Sequence, residues 1–249
     1  MMEPSIKERL WHKMRSDLAN YVSDVAGNQL LMCCACGRFL PQECFDLEHL
    51  VPQQALKADP KNVRSNPATP ANVRAGNLLL CKEPLRHKGL KVYNNGCNSW
   101  KGRFYDRPIS EIFSGLAMHA KRGHVSNTHI IGGLVLGYLA MVAEFGYIIA
   151  LMRSGLLMRE QFFNPRKFHP SLALRHQMLL GGTMPTAPEE RIWTNPFSFT
   201  FENGACSVGA RNFAVIVPVS RDPRLPIARH LRIVPSEYKL RPDFRTVFD

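Results

Sequence analysis

Apolar positions near the start of the chain recur at helical spacing. Ile6, Leu10, Met14, Leu18, Tyr21, Val22 and Val25 predict one amphipathic helix over residues 5–26. The pattern then changes. Residues 31–52, LMCCACGRFLPQECFDLEHLVP, read as a cysteine-rich knuckle followed by a short hairpin. Residues 53–76 hold three prolines and no clear period, which predicts a polar loop, long enough to be functional or disordered. Asn77-Leu78-Leu79-Leu80-Cys81 fits a buried strand or the start of a helix, and residues 97–122 fit a helix and its continuation.

The second half is patterned differently. Residues 130–152 form a 23-residue apolar stretch, long enough to cross a bilayer. Glu144 inside it opposes insertion by about 2.5–3.5 kcal/mol, and no second such segment exists. A buried core helix is therefore expected rather than a membrane span, with Met118, Tyr138, Met141, Phe145 and Tyr147 as packing residues. A Pro- and Gly-punctuated linker covers residues 164–190, and Asn203-Gly204 between two apolar-rich runs predicts a tight hairpin in a C-terminal antiparallel sheet. The expected class is α+β. Four segments follow: an N-terminal helix (1–28), a cysteine-framed unit (29–108), a helical region (109–163) and a β-rich region (164–249).

Composition narrows the partners. The 249 residues are 45% hydrophobic and 21% charged, which excludes collagen-like, coiled-coil and wholly disordered chains. A net charge of +12 favours a polyanion. Between residues 61 and 103 nine Lys/Arg face a single acid, Glu83, so the surplus is densest beside the cysteines. The first residues carry no apolar secretory core, so a cytoplasmic protein is expected. There, seven cysteines point to metal rather than disulfides.

Cys33 and Cys36 have the C-x-x-C spacing by which a tight turn presents two thiolates to one tetrahedral zinc. Cys81 and Cys97 are the natural partners, although fifteen residues separate them where a zinc ribbon has two; His87 is a spare ligand. Cys44 and Cys206 read as ordinary buried residues. His119, His124 and His129 recur every five residues, which misses helical i, i+4 registry and argues against a ligand row.

Inside the cysteine frame lies Glu48-His49-Leu50-Val51-Pro52. A carboxylate suits a hard divalent ion and a neutral imidazole takes a proton from water, but neighbours on a strand face opposite sides unless the chain bends. The order C-x-x-C, EHLVP, NLLLC, CNSWKG resembles the HNH endonucleases, in the variant with a cysteine zinc knuckle and Asn at the second and third motif positions. The resemblance covers about residues 30–105. It implies a ββα-metal fold with structural zinc on Cys33, Cys36, Cys81 and Cys97. It further implies a catalytic Mg²⁺ or Mn²⁺ on Glu48 and Asn98, His49 as general base, and Asn77 orienting the hairpin. Lys101 and Arg103, with Lys88 and Lys91, would contact the phosphate backbone. DNA is the implied substrate, with RNA left open, and Arg221, Arg224, Arg229 and Arg232 would extend the basic surface. Two alternatives stand beside it: a non-catalytic zinc-stabilised nucleic-acid-binding module, and a membrane-associated protein using residues 130–152. The C-terminal half is assigned to target recognition, a protein partner or a second copy.

Overall fold

Ser5 fixes where the first helix begins: its hydroxyl accepts the Glu8 amide at 3.3 Å and the Glu8 carboxylate accepts the Ser5 amide at 2.7 Å, a capping box. The computed structural model describes residues 3–58, 77–87, 90–113, 126–173, 177–180, 197–202, 204–210 and 213–219. Helix α1 (Ile6–Ala19) buries Trp11, Met14 and Leu18. The predicted single helix is two, because the Asn20 amide turns back onto Asp17 and Leu18 and ends α1 before α2 (Asp24–Gly27). Val22 and Val25 are still fully buried, so the apolar period reported burial correctly and continuity wrongly.

Strands β1 (Leu31–Met32) and β2 (Phe39–Leu40) pair antiparallel and bracket the knuckle, which is closed by the Cys33 amide donating to the Arg38 carbonyl at 2.8 Å. Strand β3 (Phe45–His49) pairs with β4 (Asn77–Cys81) from Phe45 opposite Cys81 to His49 opposite Asn77, without a register shift. The chain bends only afterwards, at Leu50 and Val51. Where the polar loop was expected to begin there is a short helix, α3 (Gln53–Ala58); residues 59–76 lie outside the described residues. The long spacing between Cys81 and Cys97 is occupied by a hairpin, β5 (Leu85–His87) and β6 (Leu90–Tyr93), which carries the chain out and returns it. Helix α4 (Cys97–Phe104) follows, then α5 (Asp106–Phe113).

The 23-residue apolar stretch also divides. Helix α6 (Asn127–Phe145) ends at Gly146, whose φ of +80° suits glycine, and α7 (Tyr147–Leu151) starts beyond it. A side chain at Gly146 would stand 2.2 Å from the Asp17 carboxylate, which instead caps α7 by accepting the Tyr147 amide at 2.5 Å. By length and composition α6 could cross a membrane, but every residue from Ile131 to Val142 is buried in the protein, as expected for a core helix. Helices α8 (Arg153–Phe162) and α9 (Pro170–Ala173) complete the helical layer.

The C-terminal sheet has the order β7–β10–β9–β8, all antiparallel: β7 (Gln177–Leu180), β8 (Phe197–Glu202), β9 (Ala205–Ala210) and β10 (Phe213–Pro218). The β8–β9 hairpin sits where Asn203-Gly204 predicts it, with Gly204 at φ +77°. Strand β7 comes from residues expected to be linker. The architecture is thus mixed helix with small antiparallel sheets. Helix α6 joins the halves, since Gly132 faces Pro108 and Ile109 of α5 and Gly137 lets β10 approach so closely that a Cβ would stand 2.8 Å from Val215. Its Tyr138 hydroxyl donates to the Cys34 carbonyl at 2.8 Å, and the Tyr147 hydroxyl donates to the Met32 carbonyl. One apolar core therefore runs from Trp11 through Phe45, Leu79 and Leu139 to Val215.

Candidate metal centre and carboxylate cage

The β5–β6 hairpin closes where Gly96 meets β4. A Cβ there would lie 2.2 Å from the Cys81 carbonyl oxygen and 2.4 Å from backbone atoms of Lys82, so only glycine lets the chain return this tightly. That return puts Cys97 at the first turn of α4 beside the knuckle. The sulfurs of Cys33, Cys36 and Cys97 lie within 4.8 Å of one another and all three residues are buried. Tetrahedral zinc thiolates need sulfurs about 3.8 Å apart, so this group could hold a metal ion such as zinc. Cys81, the fourth ligand expected, adjoins this trio rather than belonging to it: its amide donates to Cys33 Sγ at 3.5 Å, and its thiol hydrogen-bonds to Cys36.

The electrostatics of the cluster centre on Cys36. Hydrogen bonds from Cys33, Cys81 and Cys97, with the Arg38 guanidinium behind them, hold its thiol well below the usual range. Burial pushes Cys33 up to about 12 and Cys97 well above its usual value; the hydrogen bond to Cys36, then burial, raise Cys81. Arg38 was missed by sequence reasoning. Its Nη2 donates to Cys81 Sγ at 3.0 Å and to the Glu83 carbonyl at 2.9 Å, its Nη1 to the Pro84 carbonyl at 3.0 Å, and its Nε to Cys36 Sγ at 3.5 Å. One buried cation thus ties the knuckle to the insertion hairpin and offsets thiolate charge. The readable signal was a lone arginine directly after C-x-x-C-G. Cys34 is buried outside the cluster, Cys44 is half-buried, and Cys206 is buried in β9.

The second constellation lies at the end of β3. Glu48 is 5% exposed and its Oε1 lies 2.7 Å from Lys101 Nζ. Lys101, fully buried, also donates to Asp106 Oδ1 at 2.7 Å and to the His49 carbonyl at 2.9 Å. The expectation that Lys101 faces a phosphate backbone is corrected: on α4 it falls on the face that packs against β3, and its ammonium is enclosed by three oxygens. Burial opposes that ammonium, but Glu48 and Asp106 outweigh it and hold Lys101 above the usual lysine range. Burial raises Glu48, and Lys101 offsets part of the rise.

Asn98 Nδ2 donates to the Leu47 carbonyl at 3.1 Å and so pins α4 to β3. Asp106, which sequence reasoning passed over, is the second carboxylate; an acid at the start of α5 reads as ordinary helix capping. His49 ends β3, half-buried and opposite Asn77 in the register; because β3 is regular through His49, the Glu48 and His49 side chains alternate faces. Arg103 is exposed on α4, its guanidinium 5.8 Å from the Tyr93 ring centroid and 5.3 Å from that of Phe104. The side chains of Asn77, His87 and Lys91 lie outside the described residues, as do Lys88, His119, His124, Asn203 and the four C-terminal arginines. His129 is taken up locally, with Nδ1 2.7 Å from Ser126 Oγ and Nε2 2.8 Å from Glu111.

A hard divalent ion seeks several oxygen donors around one point. Glu48, Asp106 and the His49 carbonyl supply such a set, with the Lys101 ammonium standing where the cation would be. In this structure those three oxygens are taken up by Lys101, and among the described residues only the cysteine group has the geometry of a metal-ligand set. No protein-family model, curated protein or solved structure matches the chain.

Proposed function

We propose that residues 29–108 form a zinc-stapled ββα-metal unit of HNH type, and that the chain is a metal-dependent endonuclease acting on DNA. One observation carries the reading. Three segments far apart in sequence meet at one end of the β3–β4 hairpin: Glu48-His49, Asn77 opposite His49, and α4, whose Asn98 and Lys101 both reach back to β3. The hairpin and the following helix are the two parts such a unit needs.

Glu48 and Asp106 would hold the divalent ion, whose contribution when bound is to acidify a water and polarise the scissile phosphate. His49 is the base. A neutral imidazole can accept the proton of the attacking water. His49 is half-buried at the end of β3, with Nε2 inside, where the chain bends away at Leu50. Arg103, exposed on α4, supplies a phosphate contact, and affinity should fall steeply with salt. Zinc would carry no chemistry here; it holds α4 to the knuckle and so fixes the cage.

A non-catalytic binding module with the same zinc staple is the second reading, favoured by the Lys101 ammonium already neutralising the cage. Incubation of supercoiled plasmid with purified protein in Mg²⁺, Mn²⁺ or EDTA separates the two. Relaxation or linearisation in metal alone is expected; a plasmid shifted on the gel yet intact under all three conditions selects the binding module.

A further inference from the structure

We propose that β8 is an interface between two copies of this chain. The copies pair their β8 strands antiparallel about a two-fold axis through Phe199 and join their four-stranded sheets into one.

Strand β8, Phe-Ser-Phe-Thr-Phe-Glu, is the outer strand of its sheet among the described residues. Edge strands are usually blunted by lysine, proline or a bulge. Neither residue occurs in β8, and its register with β9 runs unbroken from Phe197 opposite Ala210 to Glu202 opposite Ala205. Its apolar side is incompletely covered. Phe197, Phe199 and Phe201 lie on the face where Ala210, Val208 and Cys206 are buried, and Phe145 of α6 meets Phe199 and Phe201 at centroid distances of 5.0 and 5.1 Å. Phe201 is nonetheless 51% exposed and Phe145 37%.

The direction of the backbone groups decides what fits this edge. Two residues separate Glu202 from Ala205 and Ala210 from Phe213, and residues flanking such tight loops form hydrogen-bonded pairs. Both hairpins give the same phase. Cys206, Val208 and Ala210 turn their N–H and C=O groups to β10, so Phe201, Phe199 and Phe197, opposite them, turn theirs away from β9 to the open edge. A second β8 is complementary to that edge. Laid antiparallel about Phe199, it sets Phe199 against its own copy and Phe197 against Phe201, so the outward donors and acceptors of both strands are all taken up. Directly opposed residues share a face, so ring meets ring on one side and Ser198 meets Thr200 on the other. A register shifted by two residues leaves a phenylalanine of each copy unopposed.

The size of the contact sets its strength. At 51% and 37% exposure, Phe201 and Phe145 bring on the order of 150–200 Å² of ring surface from each copy. With one strand edge added, the interface stays under the roughly 1,200 Å² of stable complexes, so dimers form at micromolar concentration. Glu202 is the one charged residue of β8, and the main electrostatic opposition is between two chains of +12 each, which salt screens. Association should therefore tighten with salt, the reverse of nucleic-acid binding.

The test is sedimentation equilibrium of the zinc-loaded full chain, stripped of nucleic acid, at low and high salt. A monomer–dimer equilibrium that tightens with salt is expected. Phe201→Lys should weaken it roughly tenfold or more, while Ile6→Lys, at an exposed apolar position on α1, should leave it unchanged. The pairing itself is read by placing a photo-crosslinking benzoylphenylalanine at the exposed position of Thr200 in an otherwise wild-type chain, which decides the matter even where Phe201→Lys fails to fold. Mass spectrometry should locate the intermolecular bond within β8 of the second copy. A monomer at every concentration overturns the proposal and leaves the edge to a partner of another kind. So does a dimer indifferent to a folded Phe201→Lys, or intermolecular cross-links from position 200 into any other surface.

Discussion

Replacing Gly96 by alanine should empty the cysteine cluster without touching a cysteine. The added Cβ would stand 2.2 Å from the Cys81 carbonyl oxygen, and 3.0 Å is the least that such contacts tolerate, so the two strands must part by at least 0.8 Å. The atoms it meets belong to the backbone and cannot rotate away. Metal–sulfur bonds tolerate about 0.2 Å, so the displacement is several times what the ligand set can absorb. Cys97 follows Gly96 directly and must move with it. Structural zinc contributes on the order of 10–16 kcal/mol of folding free energy in small metallo-domains, comparable to the whole stability of an ordinary domain. Gly96→Ala should therefore purify with little zinc by elemental analysis, and its first thermal transition should fall sharply. Gly27→Ala is the control, because nothing lies within 4 Å of a Cβ built there. Stoichiometric zinc and an unchanged melting temperature in Gly96→Ala would refute the claim that the hairpin base sets the position of Cys97.

Other substitutions probe the remaining joints. Arg38→Ala removes the donors to Cys36 and Cys81 and should weaken zinc retention about 10–100-fold in chelator competition; retention equal to wild type would leave Arg38 a spectator. Tyr138→Phe strands the buried Cys34 carbonyl and should lower stability by about 1–3 kcal/mol in denaturant melts, with zinc still bound. At Gly137 alanine gains about 1 kcal/mol of helix propensity. It also forces a Cβ to within 2.8 Å of Val215 and 2.9 Å of Val217, and overpacking of that kind costs about 1–3 kcal/mol, so a small net loss is expected. A melting temperature above wild type would mean that the sheet yields to the helix.

What the sequence carried and what it did not follow from the range of each signal. The knuckle and the hairpin at Gly204 were legible because turn chemistry acts locally, whereas the short apolar run Asn77–Cys81, a strand in the structure, fitted a strand or a helix start equally. The break at Gly146 was not, because a glycine within an apolar run is tolerated in helices; its obligation comes from Asp17, far away in sequence. The convergence of Cys81 with Cys97 looked doubtful for the same reason, since a fifteen-residue spacing says nothing of a hairpin that brings its ends together. Around Lys101, residue types singled out the helix and strand that meet there but not the pairings between them. A lysine one turn after Asn98 reads as a solvent-facing cation until the packing of α4 on β3 is known. Asp106 sits across a helix junction, where periodicity gives no bearing.

The central claim is that His49 and the cage beside it cut a phosphodiester. The direct measurement is the rate of supercoiled-plasmid cleavage by wild type and His49→Ala in Mn²⁺, with DNA affinity and zinc content measured on the same samples. The account predicts that cleavage falls by at least the 10²–10⁴-fold expected of a lost general base, while DNA affinity, zinc content and melting temperature hold. Turnover by His49→Ala at the wild-type rate would contradict it.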